Sequence, residues 1–442
     1  MPYDLVIRNA RIVTSESLAI GDLAVSNGKI AAVGKVEETG AEEFYANGLT
    51  LIPGLIDTQV HFREPGLEHK EDLESGTRAA IMGGVTSIFE MPNTNPTTTT
   101  PEALTDKLER AKDRAWCDHA FFVGATTENV DRLAELEMLP GSPGIKVFMG
   151  SSTGTLLVGD DEHLRRALHS GSRRVPIHAE DEPRNRDRRS LISANPHARE
   201  HPFLRDEESA RLATERILAL SAETGRPVHI LHVSTLNELP LIVEAKQKGL
   251  RTTAEVTPQH LWFHAPACYD QLGTFAQMNP PIRSSEHQLA LRNAVRAGVF
   301  DVFGSDHAPH TLEEKQLPYP QSPSGMPGVQ TMLSALLTLS SQGLMDIRTL
   351  VRMACEQPAQ IYGVKGKGHL RVGYDADLVL IDPNRAATFT RELIQSKCGW
   401  SPYEDETFVG WPIHIWLRGR QMVRDQELVG EQIGEPVNFD WK

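Results

Sequence analysis

Residues 53–66 read PGLIDTQVHFREPG, and the order of residue types in that stretch decides the fold. An apolar run begins at Leu55 and ends at Val60, the length of one buried strand, and polar residues crowd its end: Gln59, His61 and Arg63. A helical stretch follows, DLESGTRAAIMGG at 72–84, and then a second short β-rich run. The alternation continues through the helical stretches PEALTDKLERAKDRA (101–115), EESARLATERILALSAETG (207–225) and SEHQLALRNAVRAG (285–298). Such alternation predicts parallel strands joined by crossover helices. Eight candidate strands can be marked, at 55–60, 86–90, 119–123, 145–149, 175–178, 228–232, 252–256 and 302–304. Eight is the number that closes a (β/α)8 TIM barrel.

Outward from this middle, both ends of the chain read differently. DLVIRNARIV (4–13) alternates like a strand, and GDLAVSNGKIAAVGK (21–35) reads as a hairpin about Asn27-Gly28, a dipeptide suited to a type I′ turn. GYDADLVLIDP (373–383) and HIWLRGRQMVRDQELVG (414–430) repeat the style, the latter as two strands joined through Arg418-Gly419-Arg420. The expected fold is therefore α/β: a barrel over 53–363, with a small β-sandwich formed by both termini, 1–52 and 364–442.

The 442 residues exceed the ~250–300 at which single cores stop growing, which suits a barrel with an appendage. No apolar run approaches the ~20 residues of a membrane span. The opening MPYDLVIRNARIV carries an acid early and alternates, unlike a signal peptide, so a cytoplasmic location is expected. Cys117, Cys268, Cys355 and Cys398 are scattered without C-x-x-C spacing, which excludes a cysteine-rich zinc site. A net charge of −14 speaks against a nucleic-acid surface. An acidic protein that takes an anionic substrate must make its positive potential locally.

Barrel enzymes work at the C-terminal ends of their strands. There the sequence puts Gln59, His61 and Arg63 after the first strand and Asn93 after the second. Lys146 lies within the fourth, His178 and His232 end the fifth and sixth, and Asp306 follows the eighth. One histidine at a strand end is more often structural than a ligand. Lys146, inside the apolar run Ile145-Lys146-Val147-Phe148, is harder to place as scaffold, because a buried ammonium must be paired or neutralised. Either it pairs with Glu180 or Asp306, or its amine has taken up CO2 to become a carbamate between two metals. Imidazole and carboxylate donors suit zinc, with manganese or cobalt as alternatives.

These residues resemble the amidohydrolase superfamily in its dihydroorotase branch. The resemblance runs through PGLIDTQVHFREPG (53–66), GGVTSIFEMPNTNP (83–96), GIKVFMG (144–150), HAE (178–180), ILHVST (230–235), MNPPIR (278–283) and GSDHAPHTLEEK (304–315). It covers nearly the whole chain, in order. It implies His61 and Asp306 on one Zn2+, His178 and His232 on another, carboxylated Lys146 between them, and Asp306 as the catalytic acid–base. It further implies Arg63, Asn93 and His310 on a substrate carboxylate and Asn279 near the ring. A homo-oligomer, dimer or tetramer, and association with aspartate transcarbamoylase also belong to what it implies. The family has His-x-His after the first strand where this chain has Gln59-Val60-His61. A neutral amide oxygen is a poorer zinc ligand than imidazole, so one or two ions per subunit are expected.

The leading expectation is reversible hydrolysis of dihydroorotate to N-carbamoyl-aspartate, in pyrimidine synthesis. An allantoinase or a dihydropyrimidinase or hydantoinase would share the metal residues but lack a need for the Arg63 shell. A non-catalytic subunit would be free to lose Lys146 or Asp306, and both are present.

Overall fold

The computed structural model describes residues 3–150 and 156–440. Its centre is the expected barrel. The strands are Leu55–Val60, Val85–Glu90, Asp118–Phe121 continued as Val123–Gly124, Ile145–Phe148, Val175–His178, Val228–Ile230, Thr252–Val256 and Val302–Phe303. Each pairs in parallel with the next. The circle closes where the His61 amide donates to the His307 carbonyl at 2.8 Å. Helices cover the outside, so strands such as Thr252–Val256 are buried along their whole length.

The third strand departs from the single run expected at 119–123. Up to Phe121 its backbone pairs with the second strand, and from Val123 it pairs with the fourth. Changing partners midway explains why its sequence pattern is the least regular.

Both termini build one nine-stranded sheet. Its middle is Thr50–Pro53, parallel to Tyr3–Val13 on one side and antiparallel to Leu378–Thr388 on the other. Asn27 and Gly28 turn with φ of 53° and 74°, and Arg418 and Gly419 do the same at 46° and 73°, the left-handed values a type I′ hairpin needs. These two turns touch, since a Cβ on Gly28 would stand 3.1 Å from the Arg418 carbonyl oxygen. The sheet thus folds over on itself as a sandwich. Leu23, Val25 and Ile30 from one end share a core with Leu378, Leu380 and Trp416 from the other.

One glycine and one ion cluster fix the sandwich on the barrel. Gly54 joins Thr50–Pro53 to the first barrel strand, and a Cβ there would lie 2.1 Å from Thr86 Oγ1. Lys367 Nζ reaches Asp118 at 2.5 Å, Asp377 at 2.8 Å and Asp375 at 2.9 Å, and Arg418 also bonds Asp118. Asp118 opens the third barrel strand, whereas Asp377 precedes the sheet strand Leu378–Thr388. Buried ions are tolerated only when so paired. The chain then returns to the barrel's N-terminal end. There Val437 donates to the His119 carbonyl at 2.9 Å, and Val437 and Phe439 pack with Phe89, Phe122 and Tyr362.

Candidate active site

At the opposite end of the barrel, nine residues singled out from the sequence line one cavity: Gln59, His61, Arg63, Asn93, Lys146, His178, His232, Asn279 and Asp306. Phe148, Ala308, Ser324 and Gly325 complete its wall. His310 is not on the lining. It is buried behind Arg63, its Nε2 3.3 Å from the guanidinium and 3.1 Å from the Ser324 carbonyl oxygen.

Two pairs of donor atoms converge. His61 donates from Nδ1 to Asn93 Oδ1 at 2.6 Å, which leaves the Nε2 lone pair facing Asp306 Oδ1 at 3.2 Å. His178 donates from Nε2 to Glu180 Oε2 at 2.8 Å, and its Nδ1 faces His232 Nε2 at 3.0 Å. Burial pushes all three imidazoles below their ordinary pKa, so they are neutral. In His61 and His178 the outer nitrogen is tied to an oxygen acceptor, the form in which histidine binds a metal.

Glu180 was weighed as a partner for Lys146, and the structure gives it another task. It is clamped by Arg205, with one contact at 3.1 Å, while it holds His178. Burial acts to raise this carboxyl, but Arg205 and His178 outweigh it and keep Glu180 well below the usual carboxylate range. The Lys146 side chain has no hydrogen bond or ion pair among the described residues. Its Nζ lies 4.6 Å from the centre of the Phe148 ring, and burial lowers its pKa to about 7. An amine whose pKa is lowered in this way has a substantial neutral fraction near pH 7, and the neutral form can react with CO2.

Among the described residues no three His, Cys, Asp or Glu side chains surround a single point. This matches the arrangement seen, two pairs with a lysine as the remaining group. The donor set fits divalent metal of the zinc class: inward lone pairs on His61 and His178, the His232 imidazole, a carboxylate, and a lysine side chain without a hydrogen bond that a carbamate would turn into a ligand. Backbone strain marks the same places. Arg63, His232 and Asp306 have φ of 69°, 34° and 46°. Non-glycine residues are held there at a cost of about 1–3 kcal/mol each, and such strain gathers at functional sites.

The Amidohydrolase family model matches residues 50–421. The chain belongs to the amidohydrolase family. Among its relatives, the dihydroorotase of Methanosarcina mazei is 33% identical over 438 residues, 96% of this chain and 95% of that protein. The dihydroorotase of Methanothermobacter thermautotrophicus is 33% identical over 431 residues, 97% of this chain and 96% of that protein. Among solved structures, the L-hydantoinase (dihydropyrimidinase) of Arthrobacter aurescens superposes with a TM-score of 0.94 at 27% identity, covering 98% of this chain and 99% of that one. A dihydropyrimidinase from Brevibacillus agri gives 0.89 at 28% identity, with 97% and 96% covered. This amidohydrolase is a small-molecule enzyme of a generally metal-dependent family, and no helix of its described residues is long and apolar enough to cross a membrane.

Some of the site was invisible in the sequence. Arg205, His201 and Ser324 stand in segments without strand or motif pattern, and no spacing links them to the residues they serve. Glu180 was legible as a candidate partner for Lys146, not as the group that holds His178.

Proposed function

We propose that this amidohydrolase opens and closes the cyclic amide of dihydroorotate, with N-carbamoyl-aspartate as the open form. One observation carries the choice of substrate. The Arg63 guanidinium is buried on the cavity wall, and its partners are the Pro309 carbonyl oxygen at 3.0 Å and the His310 ring. No described carboxylate pairs with it. Burial lowers its pKa to about 10, still cationic at neutral pH. A buried, unpaired guanidinium is a costly arrangement unless an anion arrives. Dihydroorotate brings a carboxylate, whereas hydantoins and dihydropyrimidines do not.

The neighbouring amides agree with an acceptor-rich ligand. Asn93 Oδ1 is occupied by His61, and Asn279 Oδ1 accepts from His201 Nε2 at 3.0 Å. Both asparagines therefore turn their NH2 groups to the ligand. Arg63 and Asn93 bind the carboxylate, and His310 backs the guanidinium. Asn279 donates to a ring carbonyl.

His61 with Asp306, and His178 with His232, would hold one or two zinc-type ions, with carboxylated Lys146 shared between them. Bound there, such an ion supplies Lewis acidity and brings the pKa of water toward ~7. Asp306 takes the proton of the attacking water and delivers it to the departing ring nitrogen, acting as base and then as acid. Gln59 Nε2, donating to Asp306 Oδ1 at 3.1 Å, holds that carboxylate for both transfers. All of these residues lie in 53–363, the part we assign to the barrel.

A neutral cyclic amide is the second reading, favoured by the likeness to hydantoinase structures. Fold likeness does not fix substrate. The test is the reverse reaction: metal-supplemented protein should convert N-carbamoyl-aspartate to dihydroorotate. Absence of conversion in either direction contradicts the proposal.

A further inference from the structure

Behind the cavity-lining Asn279 and Ser324 stands His201, which opens the short helix His201–Leu204 and is buried. Its Nε2 lies 3.0 Å from the Met278 carbonyl oxygen, 3.0 Å from Asn279 Oδ1 and 3.4 Å from Ser324 Oγ. The Met278 carbonyl can only accept, so Nε2 carries the proton. Burial, reinforced by Arg205, pushes the ring down to about 3, and it is neutral with a single N–H. The edge of the Tyr319 ring packs against it, with centroids 5.9 Å apart.

An asparagine amide can present either its oxygen or its NH2 to a ligand, and its neighbours decide which. Here Nε2–H claims the Asn279 oxygen, so the NH2 is what remains for the cavity. Were the oxygen to turn inward, the amide NH2 would face the His201 N–H, donor against donor, where an oxygen now lies 3.0 Å away. Ser324, the third neighbour, lies on the same wall.

We propose that His201 is a positioning residue: it fixes the Asn279 amide with its NH2 toward the ring and so makes that wall select a carbonyl oxygen. This rests on the reading of the chain as a cyclic amidohydrolase. His201 touches no metal-binding residue, so its effect is on substrate binding and leaves metal content alone.

The experiment is a double-mutant cycle with His201→Leu and Asn279→Ala, read as KM, kcat and bound metal. Interactions that act as a unit are non-additive, which the cycle detects. His201→Leu should raise KM about tenfold, the scale of one hydrogen bond lost, with unchanged metal. Added to Asn279→Ala it should cost less than about threefold more. His201→Gln keeps an N–H at similar reach and should stay within about threefold of wild type. Independent, multiplying effects overturn the proposal, as does a glutamine variant impaired about tenfold or more. The glutamine arm decides the matter if the leucine variant does not fold. The cycle is run on whichever cyclic amide the unaltered enzyme turns over best. An enzyme that prefers dihydrouracil would refute the dihydroorotate reading, while the His201 coupling would still be measured.

Discussion

Gln59 donates its side-chain amide to Asp306 Oδ1 across 3.1 Å, while its own carbonyl oxygen is buried with no hydrogen-bond partner among the described residues. The glutamine thus serves the carboxylate proposed to move the proton, in a position where the family resemblance implies a histidine. An amide is also a weak zinc ligand beside imidazole. A metal bound by His61 and Asp306 should therefore be held less tightly than one bound by His178 and His232. Activity should depend on added divalent metal. Gln59→His should tighten the weaker ion without a matching gain in turnover. Metal stoichiometry against chelator concentration checks this, and identical titrations for the two forms would refute it.

The Lys146 side chain, over the Phe148 ring, has no hydrogen bond or ion pair among the described residues, within a cavity lined by both donor pairs. Lys146→Ala removes the group proposed to join them. Activity should fall to background and metal should be lost on dialysis, with partial rescue by a short carboxylate plus metal. Near-normal turnover in the alanine variant would show that the lysine has no such role.

How much of this was legible beforehand depends on local pattern. Strands such as Thr252–Val256 are buried on every face, so their apolar runs announce them, and the residues closing them sit on the working rim for that reason alone. The third strand, which changes partners at Phe122, was legible as a strand but not as a broken one. Asn27-Gly28 revealed its hairpin because few dipeptides adopt two successive positive φ values. Lys146 was conspicuous because an ammonium seldom sits in an apolar strand. In contrast, the partners of these groups come from distant segments. Nothing local in the sequence says that Arg205 will clamp Glu180, or that His310 will end up behind Arg63.

Arg63 should act through the substrate's carboxylate. Lysine preserves the charge but loses the planar fork that grips a carboxylate with two N–H groups. Arg63→Lys should lower kcat/KM for dihydroorotate by at least ~2 kcal/mol of transition-state binding, the scale of a buried charged hydrogen bond. Metal content should not change. Intact kinetics in this variant would point to a substrate without a carboxylate.

Lys367 holds Asp118, Asp375 and Asp377 together where sandwich meets barrel. The three carboxylates raise its pKa above the ordinary lysine value despite burial. Lys367→Met leaves these carboxylates with Arg418 on Asp118 and Lys29 on Asp375 as the remaining paired cations. Breaking a buried pair by removing one partner costs about 3–5 kcal/mol. The urea midpoint should fall accordingly, and an unchanged midpoint would show that the cluster adds no stability.

The most direct test of the central claim, that a buried and unpaired Arg63 awaits an anionic ring, is the ratio of kcat/KM for dihydroorotate to that for dihydrouracil. The two rings differ by the carboxylate alone. The measurement is made on metal-supplemented enzyme. The account predicts a ratio of at least about a hundredfold in favour of dihydroorotate, as expected when a buried charged partner is left unmatched by the competitor. Equal values, or a preference for dihydrouracil, would contradict it.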